Sequence, residues 1–239
     1  MFDSHCHPGK PTSNALVCTA STLDKHLLSF FPYPSLGALP GCNSSLQDLE
    51  EWLKISPFIG EIGLDRRFGE KERQLSFFRE ALEVASSVSA LVTIHQVGYT
   101  DEILKAMEDH RGLTYIIHGF TGSLETAKEM EKRGGIISLS PRAEKTKSFK
   151  SILSSGIPFL TETDMETGEE EEKALSSWNR TLSLYTGRDI EAQVEEWVKD
   201  NIKAKMEDFR KKNKNFGSII NFVGFRVPDI FPPAFIHDL

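Results

Sequence analysis

Short apolar runs alternate with helical stripes through most of the chain, and no other feature constrains the fold as much. Strands buried on both faces read as unbroken apolar runs, whereas helices repeat their apolar positions every 3.6 residues. After the opening Met1-Phe2 segment, strand-like runs fall at Ala15–Ser21, Ser35–Gly41, Phe58–Asp65, Leu91–Gln96, Leu113–Gly119, Gly135–Ser140 and Ile157–Asp164. Helical stripes stand between the later ones. One carries Leu46, Leu49 and Leu53, another Leu75, Phe78, Leu82 and Ala85, and a third opens at Ser123 and closes at Gly134. Strands alternating with helices build parallel βαβ units, and eight of them close into a (β/α)8 TIM barrel. At 239 residues the chain sits at the compact end of the ~250 usual for that α/β fold. The second connection, "TLDKHLLSFFPYP", is too short for a full helix and its return loop. The alternative is an open doubly wound sheet, but no Gly-rich phosphate loop supports it.

Two C-terminal helices are expected beyond the last strand. The first carries Leu175, Trp178 and Leu182 and ends at Gly187. The second starts at Asp189, with Ile190, Val194, Trp197, Ile202, Met206 and Phe209 along one stripe. The acidic run Glu169 to Glu172 suits the positive end of the first helix dipole. The expected organisation is a barrel over residues 1–212 and an added apolar tail over 213–239. That tail contains Pro228, Pro232 and Pro233, and is expected to dock on the protein or on a second subunit.

Composition narrows the function classes. No apolar run is long enough to span a bilayer, and the first residues do not read as a signal peptide. The three cysteines, Cys6, Cys18 and Cys42, have no CxxC spacing, which points to a reducing, cytoplasmic setting. A net charge of -7 argues against a protein that tracks long duplex nucleic acid by phosphate neutralisation. Any nucleic-acid phosphate must then be held by metal ions and a few local cations.

The polar residues fall in a pattern. In an extended "FDSHCHPG", Asp3, His5 and His7 share one face and Cys6 turns away. Barrel chemistry gathers at the carboxyl ends of the strands. His5 and His7 follow the first strand, Glu61 lies within the fourth, His95 ends the fifth, His118 the sixth and Asp164 the eighth. Six candidate metal ligands thus share one rim. A glutamate between Ile59 and Ile62 is the most telling, because a buried carboxylate needs a partner. Asp3 is expected to orient a histidine through a hydrogen bond. His26, His110 and His237 are expected at the surface.

The segments "DSHCHPG", "IGEIGLD", "VTIHQ", "IIHGFTGS" and "LTETD" resemble, in order and spacing, those of the TatD-like metal-dependent hydrolases. The resemblance runs from residue 2 to about residue 210. It implies a TIM barrel with two divalent metal ions and phosphodiester hydrolysis, often as a DNA exonuclease (DNase). By this resemblance His5 and His7 bind the first ion, Glu61 bridges both, His95 and His118 bind the second, and Asp164 completes the first. Asp65 matches the family segment without an assigned role. The chain also departs from the family. Leu39 stands where a G-x-H-P histidine is common, Val97 where an arginine is common, and Met165-Glu166 follow "ETD" in place of a small residue and proline.

Two divalent ions can lower the pKa of a water and clamp both oxygens of an in-line displacement. The imidazole and carboxylate mixture suits Zn, Mn, Ni or Mg and leans away from Mg alone. Asp164 is the expected general base, with Glu162 as an alternative, and Glu61 the expected bridge. Arg142 and Arg67, with Arg66 beside it, are candidate phosphate contacts, since guanidinium can hold a phosphate through two parallel bonds. The expected partner is DNA or another phosphodiester, as short or single-stranded ends. Two other readings stand beside this one. An amidohydrolase-like enzyme commonly bridges its metals with a modified lysine, and strands four to six contain no lysine. The other is a metal-stabilised scaffold with little or no turnover.

Overall fold

A computed structural model describes residues 1–213; the tail expected over 213–239 therefore lies outside the described residues except for Asn213. Eight strands form one parallel sheet in strict sequence order. They are β1 (Asp3–Cys6), β2 (Ala15–Cys18), β3 (Pro34–Ala38), β4 (Phe58–Asp65), β5 (Leu91–Val97), β6 (Thr114–Ile117), β7 (Gly135–Leu139) and β8 (Phe159–Thr161). A doubly wound sheet reverses its strand order midway, and this one does not. Beyond β8 the chain turns back onto β1. The amide of Asp164 donates to His5 O at 3.2 Å, and that of His7 to Met165 O at 2.7 Å. The Ser4 hydroxyl, on β1, lies 2.7 Å from that of Ser138 on β7 and donates to Thr161 O on β8. The result is a nearly closed barrel.

The crossings are α1 (Leu46–Trp52), α2 (Lys71–Ser87), α3 (Thr100–Asp109), α4 (Leu124–Glu131) and α5 (Phe149–Ser154). Ser45 and Ser123 cap α1 and α4 by accepting amide bonds from the third residue on. The crossing from β2 to β3 carries only a 3-10 segment, Thr22–Phe30, in keeping with its length. The crossing from β1 to β2 has no helix, a shortening that the sequence pattern did not reveal.

Two anchors tie the C-terminal helices to the barrel. From α6 (Glu169–Thr186), the Trp178 indole donates to Leu139 O at 2.7 Å. From α7 (Ile190–Val198), the Gln193 amide donates to Phe159 O at 2.9 Å. The expected second helix is not continuous. A π segment, Lys199–Lys203, separates α7 from α8 (Ala204–Lys212). Such a bulge rotates the helix face, and Val198, Ile202 and Met206 all remain buried across it. The core runs through the barrel wall and its helices, with Phe58, Phe78, Tyr115 and Phe159 fully buried. Each such side chain contributes roughly 1.5–3 kcal/mol by leaving water.

Candidate metal centre

The site begins with a bulge in β4. Ile59 pairs with Val92 and Ile62 with Ile94, so three steps along β4 match two along β5. The same shift appears on the other side, where Leu36 faces Ile59 and Ala38 faces Ile62. The extra residue falls at Gly60-Glu61, and bulges of this kind re-aim a side chain. Glycine is needed on both sides of Glu61. Gly60 and Gly63 have φ of 132° and 155°, and a Cβ on Gly63 would lie 1.9 Å from His95 O. "GEIG" is thus the local cause of a carboxylate thrust against β5.

Around Glu61 the donors form two halves. In the first, Glu61 Oε1 lies 2.6 Å from both His95 Nδ1 and His118 Nε2. In the second, His5 Nε2 lies 3.5 Å from Glu61 Oε2 and 3.6 Å from Asp164 Oδ1. His7 Nε2 lies 3.1 Å from that same Asp164 oxygen. All six sequence-chosen ligands are therefore brought together. Glu61, His5 and His118 are buried, and His7 and Asp164 are half-buried toward the opening. Asp164 adopts φ of +59°, a conformation that costs a non-glycine residue of order 1 kcal/mol.

Outer contacts fix the imidazoles. His7 Nδ1 lies 3.1 Å from Cys18 O and donates to it, which turns Nε2 inward toward Asp164. His95 Nε2 lies 3.0 Å from Asp65 Oδ2, which leaves Nδ1 facing Glu61 and His118. Asp65, fully buried, is held by Arg67, whose Nε reaches both carboxylate oxygens at 2.9 Å. Glu162, also fully buried, accepts the Gly119 amide at 2.7 Å and sits 3.7 Å from His118 Nδ1. Asp3 accepts from the His5 amide and from the amide and hydroxyl of Thr163. It thus orients the backbone at both His5 and Asp164, not a histidine ring. The sequence reading left Asp65 without a role and did not connect it to His95. The available signal was an apolar strand ending on an aspartate.

The candidate phosphate cations are less free. Arg67 is engaged with Asp65, and Arg142 pairs with Asp164 Oδ2 through an exposed side chain. Arg66 is exposed, and its amide donates to Val97 O. Leu39 and Val97 are half-buried. Cys6 turns away from the site as expected, with its thiol on Leu16 O. His26 is exposed, but His110 is largely buried, its Nδ1 2.9 Å from Ala106 O. His237 lies outside the described residues.

Electrostatics reflect this crowding. Burial opposes ionisation of Glu61, but the charge and hydrogen bond of His118, with the imidazoles of His5 and His95 beside it, hold it well below the usual carboxylate range. Burial likewise works against Asp164, and the nearby imidazoles of His5 and His7 overcome it and lower its pKa. Burial and the charge of His5 disfavour His118⁺, yet the Glu61 carboxylate lifts it to about 9. Negative groups and basic groups thus compensate one another only when protons occupy the histidines.

The arrangement fits a divalent cation. His5 is fully buried and neither of its ring nitrogens has a hydrogen-bond partner; His118 Nδ1 is in the same state. An unpartnered buried polar atom costs about 1–3 kcal/mol. Three overlapping groups, His5/His7/Glu61, His5/His118/Asp164 and Glu61/His95/His118, each bring their ligand atoms within 4.8 Å of one another. A nitrogen and a carboxylate oxygen held 3.5 Å apart are too distant for a strong hydrogen bond but can share a cation.

The family model described as TatD related DNase matches residues 15–209. An uncharacterized metal-dependent hydrolase, YjjV of Escherichia coli, is 32% identical over 150 residues, covering 55% of this chain and 57% of that protein. An uncharacterized metal-dependent hydrolase of Methanocaldococcus jannaschii, MJ1582, is 31% identical over 108 residues, covering 44% and 43%. A protein of Encephalitozoon cuniculi named as a candidate deoxyribonuclease, TATDN1 homolog, is 28% identical over 185 residues, covering 65% and 66%. The chain thus spans about half the length of the first two relatives. In three dimensions it is similar to the crystal structure of the E. coli TatD homologue YjjV, with a TM-score of 0.68 at 18% identity, over 89% of this chain and 96% of that one. It is also similar to a TatD family hydrolase of Entamoeba histolytica, with a TM-score of 0.61 at 14% identity, over 80% and 81%. These two likenesses establish the barrel, and the family match, spanning most of the chain, places the sequence: this chain belongs to the TatD related DNase family.

Proposed function

We propose that this chain is a divalent-metal-dependent hydrolase of phosphodiester bonds, a deoxyribonuclease acting on short or single-stranded ends. The observation that carries the reading is the convergence of four imidazoles and two carboxylates around the unpartnered nitrogens of buried His5. Relatives named as metal-dependent hydrolases, and one named as a candidate deoxyribonuclease, support it. In this reading His5, His7 and Asp164 would hold one ion, His95 and His118 a second, and Glu61 would serve both. Zn, Mn, Ni and Mg all match the donor set in kind, and imidazole favours the first three.

Bound ions supply Lewis acidity toward a phosphoryl oxygen and a water of lowered pKa. The chain's residues do the rest. Glu61 keeps a full negative charge between the two donor halves, since its carboxyl is held well below its usual range. Asp65 and the Cys18 carbonyl hold His95 and His7 in the tautomers that present a lone pair inward. Asp164 accepts a proton at Oδ2, the oxygen that faces Arg142. Its depressed pKa stems mainly from protonated histidines. Ligation requires neutral imidazoles, so that depression ends with the charge that causes it. Arg142 is then positioned to leave Asp164 for a neighbouring phosphate of the substrate.

The test is turnover by the full chain, supplied in turn with Zn, Mn, Ni and Mg, on bis(p-nitrophenyl) phosphate and on a single-stranded oligonucleotide. Metal-dependent cleavage of both is expected, with Arg142→Ala slowing the oligonucleotide at least ~10-fold more than the small ester. Metal binding without cleavage of either would favour a scaffold.

A further inference from the structure

Among the described residues, large exposed apolar side chains concentrate on the crossing from β2 to β3. Leu23, Leu27 and Phe30 are 65%, 41% and 43% exposed, while Thr22 and Leu28 of the same segment turn inward and are buried. With three residues per turn, Leu27 and Phe30 share one outer strip and Leu23 stands on the neighbouring one, both turned away from the strip of Thr22 and Leu28. This is a crossing where a barrel of this class usually carries a full helix. Here the 3-10 segment is the inner layer, and Leu23, Leu27 and Phe30 face outward from it beside the exposed His26.

The described chain ends beside that strip. On α8 the Arg210 guanidinium donates to Pro32 O at 3.5 Å, two residues beyond Phe30. Phe209 packs against the core one residue earlier, and α8 closes at Lys212. The described chain therefore stops near Phe30, and residues 214–239 follow it in sequence. They hold Phe216, Ile219, Ile220, Phe222, Val223 and Phe225 within ten positions. Their formal charge is neutral, with Lys214 and Arg226 against Asp229 and Asp238. Reach is ample, since such a segment spans up to ~80 Å extended and the strip only ~18 Å. A tethered partner also competes at high effective concentration with any second molecule. One association hides both apolar surfaces, whereas a second copy docked on the strip alone would leave the tail's side chains in water.

We propose that residues 216–225 dock along the outer face of the Thr22–Phe30 segment and supply the outer layer that this crossing lacks. The site binds its own chain, so the protein remains a monomer. The test uses full-length protein with Leu27→Glu and Phe30→Glu together, and separately with Phe222→Asp and Phe225→Asp. Hydrogen exchange is followed over 22–31 and over 214–239, with mass by light scattering. Each pair should raise exchange of both segments at least ~10-fold while β4 to β8 stay protected. Unchanged tail exchange in the strip variant would overturn the proposal, as would a wild-type dimer that the strip variant dissociates. Should the charged variants fail to fold, a photo-crosslinking residue at Leu23 decides. Coupling into 216–225 of the same chain supports the docking, and coupling to another chain or to neither rejects it.

Discussion

The two halves of the candidate centre are built differently. His95 stands on β5 and His118 just past β6, in the part of the barrel where every crossing carries an α-helix, and both lie 2.6 Å from Glu61. His5 and His7 stand on and just past β1, whose crossing to β2 has no helix, and His5 lies 3.5 Å and 3.6 Å from its nearest carboxylates. In the regular half both histidines reach Glu61 Oε1 directly, and only His118 Nδ1 is without a partner. The irregular half leaves His5 unpartnered and is completed from the far end of the chain by Asp164 and the Asp3–Thr163 contacts. The more regular scaffold thus carries the shorter contacts to the shared carboxylate, and the less regular one the longer.

Removing the shared group should have the largest effect. Glu61→Gln keeps the volume but takes the negative charge from between both halves. Turnover should fall at least ~10²–10³-fold, the scale of losing one preorganised electrostatic contact, while the circular dichroism spectrum stays native. Near-normal turnover would place the chemistry elsewhere.

Asp65→Asn acts on the regular half alone. It weakens the hold on His95 Nε2 and frees Arg67. Metal affinity should drop ~10–100-fold for one ion, the usual cost of losing an orienting partner behind a ligand. Affinity for the other ion should be little changed. Equal loss at both would show that the halves act as one unit.

A smaller effect is expected from pH on the metal-free protein. His118 is raised from 6.5 to about 9 in the fold. A raised basic group stabilises fully below its unfolded pKa and loses that contribution as pH climbs through the folded value. Metal-free Tm should therefore decline by a few degrees between pH 6.5 and 9. Ligation needs neutral imidazole, so the rise in Tm on adding zinc should grow across the same interval. A metal-free Tm that increases toward pH 9 would contradict the His118–Glu61 pairing.

The same contrast governs what the sequence made legible. In the regular half, apolar strands end on His95 and His118 and the glycines flank Glu61, so both position and chemistry could be read from strand periodicity. The helices α2, α3 and α4 follow their apolar stripes for the same reason. In the irregular half the pattern placed His5 and His7 but not the helix-free crossing, because a return path over eight polar and small residues leaves no periodic mark. Contacts between distant segments were the least legible. Asp65 on His95, Glu162 behind His118 and Asp3 on Thr163 depend on which strand ends meet, and the Gly60-Glu61 bulge depends on register with two neighbours. The π segment between α7 and α8 keeps a stripe that a continuous helix would also have shown.

The central claim is that each half holds its own ion and that Glu61 joins them. Elemental analysis of the full chain, saturated with zinc and freed of excess, measures this directly, alongside His7→Ala and His95→Ala. The account predicts about two ions per chain, falling to about one in each variant. A chain that retains no zinc, or two ions that persist after either substitution, would contradict it.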